Sequence, residues 1–127
     1  MDSESLNKKL KQLKVEDFIW LIYIFIIFMS WYSNNLERKY FIYNDIDSKE
    51  KYRKIMIFIF SILIVVYFYF LKDSYKDIKE LNIFTDDKTI NLKYLSFIGS
   101  LFIFISGIIF LYIAINDEDL NVEIAFN

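Results

Sequence analysis

The side chains best equipped for chemistry here are carboxylates, lysines and tyrosines, and their spacing decides what they can do. The densest acidic stretch is Asp117, Glu118 and Asp119 in INDEDLNVEIAFN, residues 115–127, with Glu123 close behind. Adjacent carboxylates attract a divalent cation, but a calcium or magnesium site needs oxygens arranged by a shaped loop. This run has no such loop and is assigned no metal. The chain contains no His and no Cys, which removes the commonest general base, the thiolate nucleophile and the commonest nitrogen and sulfur ligands. Its only glycines, Gly99 and Gly107, lie inside one apolar run, and it has no Pro. No glycine loop can therefore cradle a phosphate. The remaining acids and lysines match no catalytic spacing. The expectation is a protein that is not an enzyme and uses no cofactor. A formal net charge of −2 gives no reason to expect a nucleic-acid partner.

These groups must be positioned by a chain sorted into blocks. The first apolar run is FIWLIYIFIIFMSWYS, residues 18–33. The second is IMIFIFSILIVVYFYFL, residues 55–71, and the third is YLSFIGSLFIFISGIIFLYIAI, residues 94–115. None contains Asp, Glu, Lys or Arg. A helix rises ~1.5 Å per residue and the hydrocarbon core is ~30 Å thick, so about 20 residues cross it. The third run is long enough alone. The first two reach if Lys14, Arg53, Lys54 and Lys72 extend their charged ends to the interface, or if the bilayer thins. The Leu, Ile and Phe residues of the third run number about 14, and at roughly −0.3 to −0.6 kcal/mol each they favour insertion by about 4–8 kcal/mol. Three helices apolar all round need a larger polar shell than the rest of this chain supplies, which argues against a soluble core. A cleaved signal peptide is the rival reading of the first run. Against it stand a mixed-charge start and a bulky MSWYS end. The fold class expected is an all-α membrane protein, a single polytopic domain over 1–127. It has three transmembrane helices (18–33, 55–71, 94–115) and a short basic amphipathic N-terminal helix (1–17). Charged loops (34–54, 72–93) and an acidic tail (116–127) complete it.

The flanks refine this picture. Leu6, Leu10 and Leu13 share one helical face, with Ser3 or Ser5 suited to cap the start. Lys8, Lys9, Lys11 and Lys14 fill the other faces and are expected to meet anionic lipid headgroups on the inner leaflet. Trp20 and Trp31 near the ends of the first run, and Tyr94 and Tyr112 on the third, are placed as interfacial anchors. No Gly or Pro lies between Ser48 and Leu81, so one helix is expected to run through the second span and past it. Asp86-Asp87 favours a turn, in a polar loop or a small hairpin. Asn116 suits a helix end, and the acids beyond it oppose the macrodipole. VEIAF alternates weakly and could pair with a partner's strand edge.

Ser96, Ser100, Gly107 and Ala114 fall on one face of the third run and form a stripe of small residues. In lipid, helix association depends on close packing, which small side chains permit. The stripe therefore receives the protein's own other helices, a second copy, or another membrane protein, and the third helix is expected to be the hub. The spans offer serines (Ser30, Ser61, Ser96, Ser100, Ser106) and no charged residue, which disfavours coupled transport. The function expected is protein–protein interaction in the bilayer, as an accessory subunit of a membrane complex or an immunity-type protein of a bacterial membrane. The alternative is an oligomeric, holin-like pore former.

Lys and Arg accumulate on the cytoplasmic side of membranes. Lys8, Lys9, Lys11, Lys14, Lys72, Lys76, Lys79, Lys88 and Lys93 would share one side. Arg38, Lys39, Lys49, Lys51, Arg53 and Lys54 would share the other, and the tail adds no base. The expected location is the cell (plasma) membrane, multi-pass, with the N-terminus cytoplasmic and the C-terminus outside. A cysteine appended after Asn127 should then react with an impermeant thiol reagent on intact cells. Reaction only after lysis would reverse the orientation.

Overall fold

Before Gly99 the chain has neither glycine nor proline, so a helix continues until a polar side chain captures the backbone. The computed structural model describes residues 2–124 and contains three helices and no strand among them. They are α1 (Ser3–Tyr43), α2 (Ile46–Lys79) and α3 (Asp87–Asn116). The N-cap of α1 is Asp2, whose carboxylate accepts from the Ser5 amide at 2.7 Å, so neither Ser3 nor Ser5 takes the capping role expected of it. Asn44 ends α1 in the left-handed region, at φ 53° and ψ 38°, a conformation Asn tolerates well. Asp45 then starts α2, and its carboxylate accepts from the Ser48 hydroxyl at 2.8 Å.

Three boundaries therefore differ from the sequence reading, and one is the loop read over 72–93, which is helical at 72–79 and 87–93 and leaves only 80–86 as the connection. Residues 34–54, read as a charged loop, are helical except for Asn44-Asp45. Charged residues do not break a helix when they face solvent, and Ser33, Leu36, Ser48 and Tyr52 between them are buried. The segment expected to be a separate amphipathic helix over 1–17 is not separate where it is described: residues 3–17 continue into the first apolar run with no interruption at which they could turn to lie flat on a membrane. At 41 residues, α1 is about 60 Å long.

The second connection is built from local polar bonds. The Phe84 amide donates to the Asn82 side-chain oxygen (2.8 Å), and the Thr85 amide to the Asn82 carbonyl (3.2 Å). Asp86 caps α3, accepting from the Thr89 amide and hydroxyl. Ile83 and Phe84 at the tip are about nine-tenths exposed, at 91% and 88%.

The hub of the fold is α2, not the third helix. It packs against both α1 and α3, whereas no Cα pair joins α1 to α3 within 8 Å. Phe60 and Ile59 are its most completely buried residues, followed by Met56, Leu63 and Val66. Phe60 meets Phe110 of α3 at 5.6 Å between ring centroids, and Phe68 meets Phe104. The second run is apolar on every face, so it can bury two sides, while a small-residue stripe supports one contact only.

That contact is nonetheless present. Gly107 and Ala114 are buried, and a Cβ on Gly107 would stand 3.1 Å from the Tyr67 ring and 3.4 Å from Ile64. The absent side chain is what lets α3 come this close. Replacing Gly107 with Leu should overpack this contact and cost about 1–3 kcal/mol, read as a lower thermal midpoint in detergent and lower abundance in cells. Gly107→Ala should cost less, because the aromatic ring can shift by a few tenths of an ångström. An unchanged midpoint for the Leu variant would show that the contact does not set the packing.

Candidate functional site

The two helical hairpins bring the N-terminal part of α1, the C-terminal part of α2 and the start of α3 to one end of the molecule. At this end α1 and α3 lie against α2 without touching each other and leave a cleft of about 420 Å³. Glu16 and Tyr23 line it from α1, and Ser96, Ser100 and Ile103 from α3. Tyr67, Phe70, Asp73, Ser74 and Asp77 line it from α2. A second cavity of about 530 Å³ runs along α1 and α2 between Trp20, Tyr23, Ile26, Ile27, Ser30, Leu63 and Tyr67. Its walls are almost wholly apolar. Tyr23 and Tyr67 belong to both, so the two spaces adjoin.

The electrostatics of the cleft centre on Asp73. Its carboxylate accepts from the Gln12 side-chain amide at 2.8 Å, which ties the N-terminal arm of α1 to α2. Burial, and then the negative charges of Asp77 and Glu16, push the Asp73 carboxyl above its ordinary range, while Lys76 and Lys9 pull the other way. Those two lysines line a neighbouring groove with Ser5, Lys8, Gln12, Tyr69 and Glu80, and Asp73 and Asp77 line that groove as well as the cleft. Ser74 is buried, and its hydroxyl donates to the Leu71 carbonyl at 2.9 Å. Among the described residues, no three acids converge closely enough to hold a metal ion.

The opposite end is closed. Arg53 donates to the Ile115 carbonyl at the end of α3 (2.8 Å), and Lys49 meets Asp119 at 3.6 Å. The Asp117 carboxylate accepts from the Asn121 and Val122 amides at 3.0 and 2.7 Å. Leu120 adopts a left-handed φ of 56° and turns the tail back, so that Leu120 and Ile124 pack onto Tyr52, Met56 and Ala114. Two of the three adjacent acids are thus engaged within the chain. Ile124 of VEIAF is buried here and unavailable to a strand edge, while Ala125 and Phe126 lie outside the described residues. Burial pushes the Tyr52 hydroxyl up, reinforced by the charge of Glu37 and a hydrogen bond to it.

The residues singled out from sequence are dispersed. Ser96 is exposed and Ser100 half-buried, both at the cleft. Gly107 and Ala114 lie further along α3, against α2. Trp20, Trp31, Tyr94 and Tyr112 all project outward; Trp20 also rims the apolar crevice and meets Tyr23 edge-on at 5.7 Å. Lys8, Lys9, Lys11 and Lys14 are exposed. Lys11 and Lys14 border a shallow hollow with Leu10, Leu13 and Asp17. Sequence reasoning did not single out Glu16, Tyr23, Asp73 or Asp77. The available signal was an acid just outside each of the first two apolar runs, on the side where the helix hairpin brings the two together.

The chain matches no known protein family, no curated protein and no solved structure, so its function is argued from this geometry.

Because the folded environment raises the Asp73 pKa, protonated Asp73 is the form the fold prefers. Its contribution to stability is fully present below the unfolded value and is lost as pH rises through the folded one. Asp73→Asn keeps an acceptor for Gln12 and removes the charge. It should raise the thermal midpoint in detergent at pH 7 by about 1–3 °C. The advantage should shrink as pH falls through the raised carboxyl range and vanish once Asp73 is protonated in both states. A destabilised variant at neutral pH would contradict this account.

Proposed function

We propose that this chain is a small non-catalytic integral membrane protein that acts by binding another membrane protein within the bilayer, as an accessory subunit or an immunity-type protein. The observation that carries the reading is the direction of its apolar surface. Both α2 and α3 are long and apolar enough to cross a membrane. Yet only 28% of the apolar window of α2 and 11% of that of α3 is buried inside the chain. A core helix of a soluble protein is mostly buried, so these faces require either lipid or a partner.

In this reading α1 supplies the third span through residues 18–33. Its support is register: Tyr23 and Ile26 of α1 stand beside Tyr67 and Leu63 of α2, so the uncharged part of α1 lies level with that of α2. The exposed face of α3 offers a partner helix a place to approach. Gly99 has nothing within 4 Å of where a Cβ would be, and Ser106, seven residues on along the same face, is also exposed. Small residues at that spacing allow two helices to pack closely. The orientation proposed remains N-terminus cytoplasmic, with the cleft on the cytoplasmic side and the folded tail outside.

The test is recovery from native membranes. The protein should resist carbonate extraction and purify in mild detergent with a second polypeptide at fixed stoichiometry. Gly99→Phe should deplete that polypeptide while leaving the thermal midpoint unchanged. Purification as a lone homo-oligomer whose induction collapses the membrane potential would replace this reading with a pore former.

A further inference from the structure

We propose that the cleft and the crevice form one site for a phospholipid whose headgroup ends in a primary ammonium, with an acyl chain along the α1–α2 crevice and the ammonium among Glu16, Asp73 and Asp77. The proposal rests on the membrane reading above and adds a ligand to it.

Depth is the first argument. The crevice is walled by residues 20–30 of α1 with Leu63 and Tyr67 of α2, inside the uncharged runs, and its apolar lining suits a hydrocarbon chain. The cleft lies at the end of those runs, among residues 70–77 of α2 and 96–103 of α3, where headgroups sit. Tyr23 and Tyr67 join the two spaces, so one amphiphile can occupy both without crossing a barrier.

Charge is the second. The cleft itself is lined by three carboxylates and no base; Lys9 and Lys76 stand in the adjoining groove, which shares Asp73 and Asp77 with it. Burial, and then the charges of Asp77 and Glu16, disfavour ionisation of Asp73, and among the described residues no three acids are disposed to hold a metal ion. An ammonium on a flexible headgroup relieves that repulsion and donates up to three hydrogen bonds to carboxylate oxygens. A trimethylammonium has the same charge and no N–H to donate, so these acceptors discriminate against it. The hydroxyls of Ser96 and Ser100 stand on the α3 wall, able to donate to the headgroup phosphate.

The test uses the full chain in detergent, titrated with an equimolar mixture of dioleoyl phosphatidylethanolamine, phosphatidylcholine and phosphatidylglycerol, with bound lipid read by native mass spectrometry. Phosphatidylethanolamine should be retained roughly tenfold over the other two. The double variant Glu16→Gln, Asp73→Asn should bring it to the level of phosphatidylcholine with unchanged helicity. Ser30→Phe, which fills the crevice, should lower phosphatidylethanolamine occupancy several-fold. Equal retention of the three lipids overturns the proposal. So does a preference for phosphatidylcholine, which the rings of Tyr23, Tyr67 and Phe70 would explain, or for phosphatidylglycerol, which the exposed lysines would explain. Selectivity that survives the double variant, or occupancy indifferent to Ser30→Phe, does the same. If the chain stays in the aqueous phase without detergent, the membrane reading fails as well; if it is membrane-embedded but unselective, only the lipid site fails.

Discussion

The approach of α3 to α2 at Gly107 is the contact on which the other distances depend. The Tyr67 ring occupies the space a side chain on Gly107 would need, and the flat face of one helix receives the bulk of the other. From this point the Phe60–Phe110 and Phe68–Phe104 pairs follow in register to either side. Tyr67 also borders both cavities. The residue that fixes the α2–α3 spacing is therefore the one that shapes the space left between α2 and α1. Where lipid surrounds a protein, hydrophobicity does not favour helix contact over lipid contact, so steric fit of this kind must carry the specificity.

The two ends of the molecule solve the problem of exposed polar backbone differently. At the tail end, Arg53 takes up the Ile115 carbonyl, one of the orphan acceptors at the end of α3. Asp117 collects two amides and Ile124 closes the apolar seam. This end is filled: the hollow lined by Tyr52, Ala114 and Leu120 measures only about 10 Å³. At the other end a cleft stays open, with carboxylates from α1 and α2 on its walls, lysines in the adjoining groove, and the Gln12 amide donating to Asp73 between the elements. The contrast between a closed end and an open one gives this small fold its polarity and directs attention to the cleft.

The helical class, the places of the apolar runs and the continuation of α2 past its apolar run were readable from composition and the lack of helix breakers. The extent of α1 was not. The sequence NNLERKY carries the charge of a loop, but Leu36 within it joins the buried cluster that holds Tyr52 and Met56, a tertiary placement invisible in a local window. The centrality of α2 was hidden for a related reason: a run apolar on all sides has no periodicity to show which faces pack. The small-residue stripe read from α3 was partly informative. Gly107 and Ala114 meet α2, whereas Ser96 and Ser100 face the opening beyond the reach of close packing. The cleft required two helices to be placed side by side before its three acids became neighbours.

The Asn44-Asp45 connection has a further consequence. With only two residues between helices, register in the first hairpin is counted outward from the turn: Leu36 beside Tyr52, Ile26 beside Leu63, Tyr23 beside Tyr67. One residue added to either arm near the turn rotates everything beyond it by ~100° about the helix axis, carrying each partner off its face at once. Such a hairpin tolerates substitution far better than insertion, and its evolution should be confined to changes that conserve length between Asp2 and Lys79.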